Sequence, residues 1–288
     1  MSPRRRRRLL PYLLLAPGLL WLGVFFLIPA LNQALVSLWG GTPETGQSFA
    51  WKWSNYGDAL STYSEQIVRS LWYAAAATVL AFVIAFPLAY YIAFKAPRRL
   101  KPVLLLLIIL PFFTSYLVRT NAWQTILADD GWVVNSLQSV GLVAPDGRLL
   151  ATGVAVVAGI TYNFLPFMAL PLYVSLEKID KRLIEAATDL YANRFTAFRK
   201  VTMPLALPGI FAGSLLTFIP AVGDFVNASL LGSPRQYMIG NVIQSKFLRT
   251  QDYPEAAALS FILMALILIG VFAYTRVLGR ERLTEAAV

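Results

Sequence analysis

Residues 176–206 read LEKIDKRLIEAATDLYANRFTAFRKVTMPLA, a polar and basic segment between two long apolar runs at about 151–175 and 207–231. A membrane-spanning helix needs about 20 mostly apolar residues, and both flanking runs reach that length. The segment between them has a helical pattern of its own. Ile179, Leu183, Ala186, Ala187 and Leu190 recur at helical spacing, and Asp180 stands where it can cap the start. Phe195, Phe198, Val201 and Thr202 form a second short amphipathic face, which Pro204 is expected to stop. Connections of this length without structure are uncommon and usually functional. Two short helices at a membrane surface either hug the lipid headgroups or offer an apolar face to a soluble partner.

Working outward, four more runs qualify as spans, at about 11–38, 71–94, 103–127 and 256–278. None alternates with the period of a transmembrane barrel, and a backbone in hydrocarbon must satisfy its own hydrogen bonds, which leaves helices. The expected fold is therefore all-α and integral to the membrane, with six transmembrane helices. Composition agrees: of 288 residues 57% are hydrophobic and 14% charged, with mean hydropathy +0.60. Pro29, Pro87, Pro111, Pro166, Pro171 and Pro220 lie within or near these runs, and helix bundles in membranes tolerate such kinks. The chain has no cysteine and no histidine. That excludes disulfide frameworks, Cys/His zinc sites and His-based catalytic triads.

Arg4–Arg8 followed by Leu9–Leu15 looks like the start of a signal peptide. The apolar stretch continues to about Leu38, well past a signal core, so a retained first helix is expected. Residues 1–10 then form a basic cytoplasmic N-terminus and 279–288 a cytoplasmic tail. In this orientation the inner segments hold Arg4–Arg8, Lys95, Arg98, Arg99, Lys101, Lys178, Lys181, Arg182, Arg194, Arg199, Lys200, Arg276, Arg280 and Arg282. The outer loops hold only Lys52, Arg69, Arg148, Arg235, Lys246 and Arg249. This asymmetry places both termini in the cytoplasm by the positive-inside rule. It also accounts for the net charge of +10 without any nucleic-acid partner. Glu44, Asp58, Glu65, Asp129, Asp130, Asp146, Asp252 and Glu255 make the outer face slightly acidic, which would steer a cationic ligand or basic partner toward it, unless it is ordinary loop solvation.

Glu185-Ala186-Ala187, followed by Val201, Met203 and Pro204 in register, resembles the EAA motif of ABC-importer permease subunits with a MetI-like transmembrane domain. In that family a glycine stands six residues after the glutamate; here it is Tyr191, and Asn193 is the nearby residue suited to a left-handed backbone. Val201 and Met203 stand where isoleucine and leucine are typical. The resemblance implies the type I importer fold, and an EAA loop, 176–206, docked in a cleft of an ATP-hydrolysing subunit. Glu185, Ala186, Ala187, Tyr191, Val201, Met203 and Pro204 would then be the ATPase-coupling residues. The nearest match to a phosphate loop, Gly41–Ser48, has Gln47 in place of the lysine and no strand before it on the predicted outer side. It is read as coincidence. No cofactor is expected in this chain, ATP and magnesium being bound by partner ATPase subunits.

Charged residues inside spans are functional candidates by default. Arg119 lies in the third run and Asp224 in the fifth, where Thr217, Asp224 and Asn227 fall near one helical face at 100° per residue. Phe218 and Phe225 flank the carboxylate, and aromatic rings there suit an organic cation. These six residues form the candidate translocation path. Alternatively Arg119 and Asp224 form a structural ion pair, or either snorkels to the outer interface. Gly209 and Gly213 form a small-xxx-small pair for close helix approach, within the subunit or against a partner.

Val118–Trp123, Gly223–Val226, Leu231-Gly232, Ile239–Gln244 and Phe247-Leu248 look like the spermidine/putrescine permeases of the PotB type. That resemblance implies a polyamine cargo and four kinds of partner: a PotC-like second permease, two PotA-like ATP-binding subunits, a PotD-like extracytoplasmic binding protein and the lipid bilayer. The same machinery with another cargo, such as ferric ion, thiamine or another organic cation, remains the alternative. A self-sufficient secondary transporter should show paired broken helices or an internal repeat, and no repeat relates the two halves. A membrane enzyme would need organised carboxylates, and Asp129-Asp130 is the only adjacent acidic pair.

Overall fold

The computed structural model describes residues 14–144 and 146–285, with side chains to Arg276. The expected basic N-terminus 1–10 lies outside the described residues, as do the last three residues of the tail. Five helices are long and apolar enough to cross a membrane, and a bent pair makes up to six. They are α1 (Leu14–Val36), α2 (Ser54–Lys95), α6 (Gly153–Glu177), α8 (Arg194–Val222) and the apolar part of α11 (Tyr253–Glu285). The bent pair is α3 (Lys101–Phe113) with α4 (Tyr116–Ile126). Shorter helices are α5 (Trp132–Ser139), α7 (Lys181–Asp189), α9 (Val226–Leu231) and α10 (Ile239–Leu248).

The chain divides into two compact units, Met1–Ser64 with Ile243–Leu266, and Glu65–Val242 with Ile267–Val288. In the first, α1 leaves Trp21, Phe25 and Phe26 exposed, as suits a helix sheathed in hydrocarbon. Its middle widens to an i→i+5 turn at Gly23–Leu27, just before Pro29, which has no N–H for the usual ladder. An antiparallel hairpin follows, β1 (Trp39–Thr42) with β2 (Gly46–Phe49). Here the phosphate-loop look-alike finds its role. Gly41 has φ +96°, and a Cβ there would fall 2.0 Å from the Gly46 carbonyl oxygen, so the glycines serve a tight hairpin. Lys246 reaches Glu255 at 2.5 Å and Asp252 at 3.5 Å. Burial alone would lower the Lys246 pKa, but the hydrogen bond and charge of Glu255 hold it above the ordinary lysine range.

The second unit is the larger core. On α2, Ala74, Ala77, Ala81, Ala85 and Ala89 are fully buried at helical spacing, so a smooth stripe lets a neighbour approach closely. Met168, Leu172 and Leu176 of α6 join Ala81, Ala85 and Ala89 in the core cluster. Gly209 and Gly213 serve packing within the subunit. A Cβ on Gly209 would fall 2.5 Å from Ser175 Cβ and 2.6 Å from the Pro171 carbonyl oxygen. On Gly213 it would fall 2.9 Å from Met168 Sδ, so α8 lies directly against α6.

Contacts sort by predicted side. Lys101 Nζ lies 2.7 Å from Glu177, and donates to the Ala93 carbonyl oxygen at 2.9 Å, joining three inner segments. On the opposite side Arg69 donates to the Tyr237 carbonyl at 3.0 Å, and Arg148 pairs with Asp129 at 2.9 Å. Glu65 pairs with Arg69, so four of the eight outer acids (Glu65, Asp129, Asp252 and Glu255) are spent in local ion pairs. The acidic outer face is weaker than the count of charges suggests.

Two expected spans are not single rods. The run 103–127 breaks at Thr114-Ser115, where α3 and α4 meet at 95°. The run 207–231 breaks after Val222, and Gly223–Phe225 separate α8 from α9. Conversely, Pro204 stops nothing. The turn before it widens to i→i+5 at Phe198–Thr202, which removes the carbonyl clash, and α8 runs unbroken from Arg194 to Val222.

Candidate functional site

Two places concentrate the residues singled out above. The first is the segment after α6. Asp180 caps α7, accepting from the Arg182 N–H at 3.0 Å. The apolar residues around α7 divide. Ile179 is buried and Ile184 packs on the core, while Leu183 and Leu190 face solvent. Glu185 and Ala186 are exposed and Ala187 half-buried; the Glu185 carboxylate makes no ion pair among the described residues.

α7 ends in a Schellman turn. The Ala192 N–H donates to the Ala187 carbonyl at 3.1 Å and the Tyr191 N–H to Thr188 at 3.0 Å. The left-handed residue this turn requires is Tyr191 itself, at φ +60°. Asn193 was expected to supply it, but has φ −68° and caps α8, accepting from the Thr196 N–H at 2.7 Å. A tyrosine therefore occupies a conformation that suits glycine, with its side chain fully exposed.

From this turn α8 runs back to the core. Phe198 meets the Phe86 ring at 5.6 Å and the Tyr90 ring at 6.1 Å, both near perpendicular. Val201 and Pro204 are half-buried, and Met203 packs on the core cluster. The segment thus presents Leu183, Leu190, Tyr191 and Phe195 outward, while Ile179, Ile184 and Phe198 fix it to the bundle. A body gripping the exposed side would move a rod that continues into the membrane.

The second place is the break after Val222. Asp224 is buried and its carboxylate accepts four hydrogen bonds. Two come from the Val226 and Asn227 N–H groups, at 2.8 and 3.0 Å, closing the start of α9. The others come from Asn227 Nδ2 at 2.6 Å and the Tyr116 hydroxyl. Asn227 Nδ2 also donates to the Tyr116 oxygen at 2.7 Å. Asn163 Nδ2 extends the network to Thr120 and Asn227, each at 3.2 Å. Tyr116, Thr120 and Asn163 were not singled out from the sequence. An asparagine inside an apolar span was the available signal.

Arg119 and Asp224 form no ion pair. The Arg119 guanidinium lies over the rings of Phe112 and Tyr116, 5.3 and 5.6 Å from their centres. Arg119, Tyr116 and Asn163 line a cleft of about 550 Å³ whose other walls include Phe112, Phe164, Phe167, Leu216 and Ile219. The other candidate residues scatter. Thr217 is fully buried, and the break ends the regular 100° turn that would have aligned it with Asp224. Phe218 lines a separate groove of about 430 Å³ with Phe82, Ile210 and Tyr274. Phe225 is exposed, its carbonyl taking a 2.8 Å hydrogen bond from Asn241. Of the six, Arg119 alone lines this cleft, and Asp224 and Asn227 connect to it through hydrogen bonds to Tyr116 and Asn163.

Known proteins resemble this chain along most of its length. The family described as binding-protein-dependent transport system inner membrane component matches residues 85–282. The chain is 38% identical to the spermidine/putrescine transport system permease protein PotB of Haemophilus influenzae over 257 residues, covering 89% of this chain and 90% of that protein. It is 36% identical to the Escherichia coli protein of the same name over 265 residues, covering 91% and 96%. Among solved structures, a bacterial ABC transporter involved in import of the acidic polysaccharide alginate superposes with TM-score 0.67 at 19% identity, covering 96% of both chains.

Proposed function

The chain belongs to the family of binding-protein-dependent transport system inner membrane components, and on that premise we propose that it is the permease subunit of an ABC importer for polyamines such as spermidine and putrescine. The polyamine reading is supported by relatives of that name at 36–38% identity over about nine-tenths of the chain. The chain is a multi-pass inner-membrane transport component.

One observation carries the mechanism. The segment between α6 and α8 exposes Glu185, Ala186, Leu190, Tyr191 and Phe195, while Phe198 on the same rod is seated between Phe86 and Tyr90. In the proposed cycle, separate ATPase subunits bind ATP and magnesium and grip the exposed side. Their closure displaces α7 and the start of α8. Because α8 is continuous through Pro204, the displacement reaches the membrane-embedded half without a joint. Glu185 offers a carboxylate to a basic residue of the ATPase, and the small Ala186 lets the helix seat closely. The path opens alternately toward a loaded extracytoplasmic binding protein and toward the cytosol. A second permease subunit supplies the other wall.

The test is uptake by proteoliposomes holding this chain with its second permease, ATPase subunits and binding protein. Labelled spermidine should enter only with ATP inside the ATPase compartment and be displaced by excess putrescine. Uptake without ATP, or ATP-driven uptake indifferent to polyamines, would overturn the proposal.

A further inference from the structure

Among the described residues the guanidinium of Arg119 has no ion pair. Arg119 is buried (7% exposed), and its Nε and one terminal nitrogen have no hydrogen-bond partner among those residues. The carbonyl oxygen of the Asn163 side chain, on the same cleft, is likewise unbonded. Contacts with the Phe112 and Tyr116 rings are weaker than the penalty for leaving a buried charge uncompensated. Asp224, hydrogen-bonded to the same Tyr116, offers no relief, because it already accepts four hydrogen bonds.

The surroundings restrict what can supply the missing anion. Leu216 and Ile219 on the cleft are exposed and apolar, as are Phe113 and Leu117 beside it. Lipid tails would cover such a lip but cannot pair a cation. A polyamine cargo carries the wrong sign. α3 has thirteen residues, which sets the bend some 20 Å from the inner end of that helix at about 1.5 Å per residue, deep for a cytoplasmic-leaflet headgroup. A protein carboxylate on an apolar surface fits both the lip and the charge.

We propose that this cleft is a subunit interface, and that an aspartate or glutamate of the second permease subunit completes Arg119 with a charge-assisted hydrogen-bonded pair. The inference rests on reading the chain as one of two permeases. The carboxylate would also neutralise Arg119, so that a cationic cargo passing nearby meets no net positive charge.

The test uses the assembled importer. Arg119→Met should strand the partner's carboxylate, lowering the unfolding midpoint of the solubilised complex and the amount of second permease that co-purifies by several-fold. Arg119→Lys should retain most of it. Replacing one acidic residue of the second permease by its amide, in the Arg119→Met background, should restore co-purification. Arg119→Met with unchanged or improved co-purification overturns the proposal. So does a loss that no such acid-to-amide change repairs, including one that tracks the anionic lipid supplied in nanodiscs. If the wild-type chain retains no second permease at all, it is the permease reading itself that fails.

Discussion

Phe198 stands edge-on to Phe86, with 5.6 Å between ring centres and 88° between ring planes. Phe198 belongs to the rod that begins at the exposed turn, and Phe86 to the buried face of α2, so this pair joins the segment between α6 and α8 to the bundle.

Phe198→Ala should loosen that joint. Loss of the edge-to-face contacts with Phe86 and Tyr90 is worth about 1–3 kcal/mol. The ATPase subunits should still bind, since the exposed residues are untouched. Uptake per ATP hydrolysed should fall several-fold, measured as the ratio of spermidine transported to phosphate released. An unchanged ratio would show that force does not travel through Phe198.

Tyr191→Gly should stabilise the turn after α7. Tyr191 holds φ +60°, and a left-handed conformation costs an ordinary residue about 1–2 kcal/mol relative to glycine. Slower hydrogen exchange at the Ala192 amide, which bonds Ala187, would report the gain. Tyr191→Val should act in the opposite direction, because β-branched residues tolerate this region poorly. Faster exchange in the glycine variant would contradict the strain.

Asp224→Asn should harm the fold before it harms cargo recognition. The carboxylate accepts four hydrogen bonds, and an amide presents N–H groups to donors that need an acceptor. A cost of about 1–3 kcal/mol follows for the stranded groups. Folded yield should drop, while the protein that remains should show an unaltered half-saturating spermidine concentration. Full yield with weakened half-saturation would return Asp224 to the transport path.

How much of this was legible depended on the range of the interactions. Apolar runs announced the spans because burial in lipid needs only composition and length, and Asp180 announced its cap because capping is local. Pro204 misled: one missing N–H predicts a stop, but a single widened turn absorbs it, and packing of Phe198 before it and Ala206 after it on the core holds the helix together. The shared face of Thr217, Asp224 and Asn227 failed for a related reason. Helical arithmetic holds only while the helix does, and Gly223 ends it. Tyr116 and Asn163 meet Asp224 and Asn227 from helices distant in sequence, so although an asparagine in an apolar span is itself a signal, its partners were not marked locally.

Gly209→Ala tests the α6–α8 seam on which this reading of the bundle depends. The added methyl would lie 2.5 Å from Ser175 Cβ and 2.6 Å from the Pro171 carbonyl oxygen. Neither can withdraw as a flexible side chain end would, so the two helices must part, and overpacking of this kind costs about 1–3 kcal/mol. Ser175→Gly in the same chain removes one of the two obstacles and should recover only part of the loss, since the Pro171 carbonyl remains. The thermal midpoint of the solubilised protein distinguishes the cases. Full tolerance of Gly209→Ala would mean that α6 and α8 do not approach as closely as described. Full recovery by Ser175→Gly would mean that the backbone of α6 is free to shift, in which case α8 could move in the transport cycle without carrying α6 along.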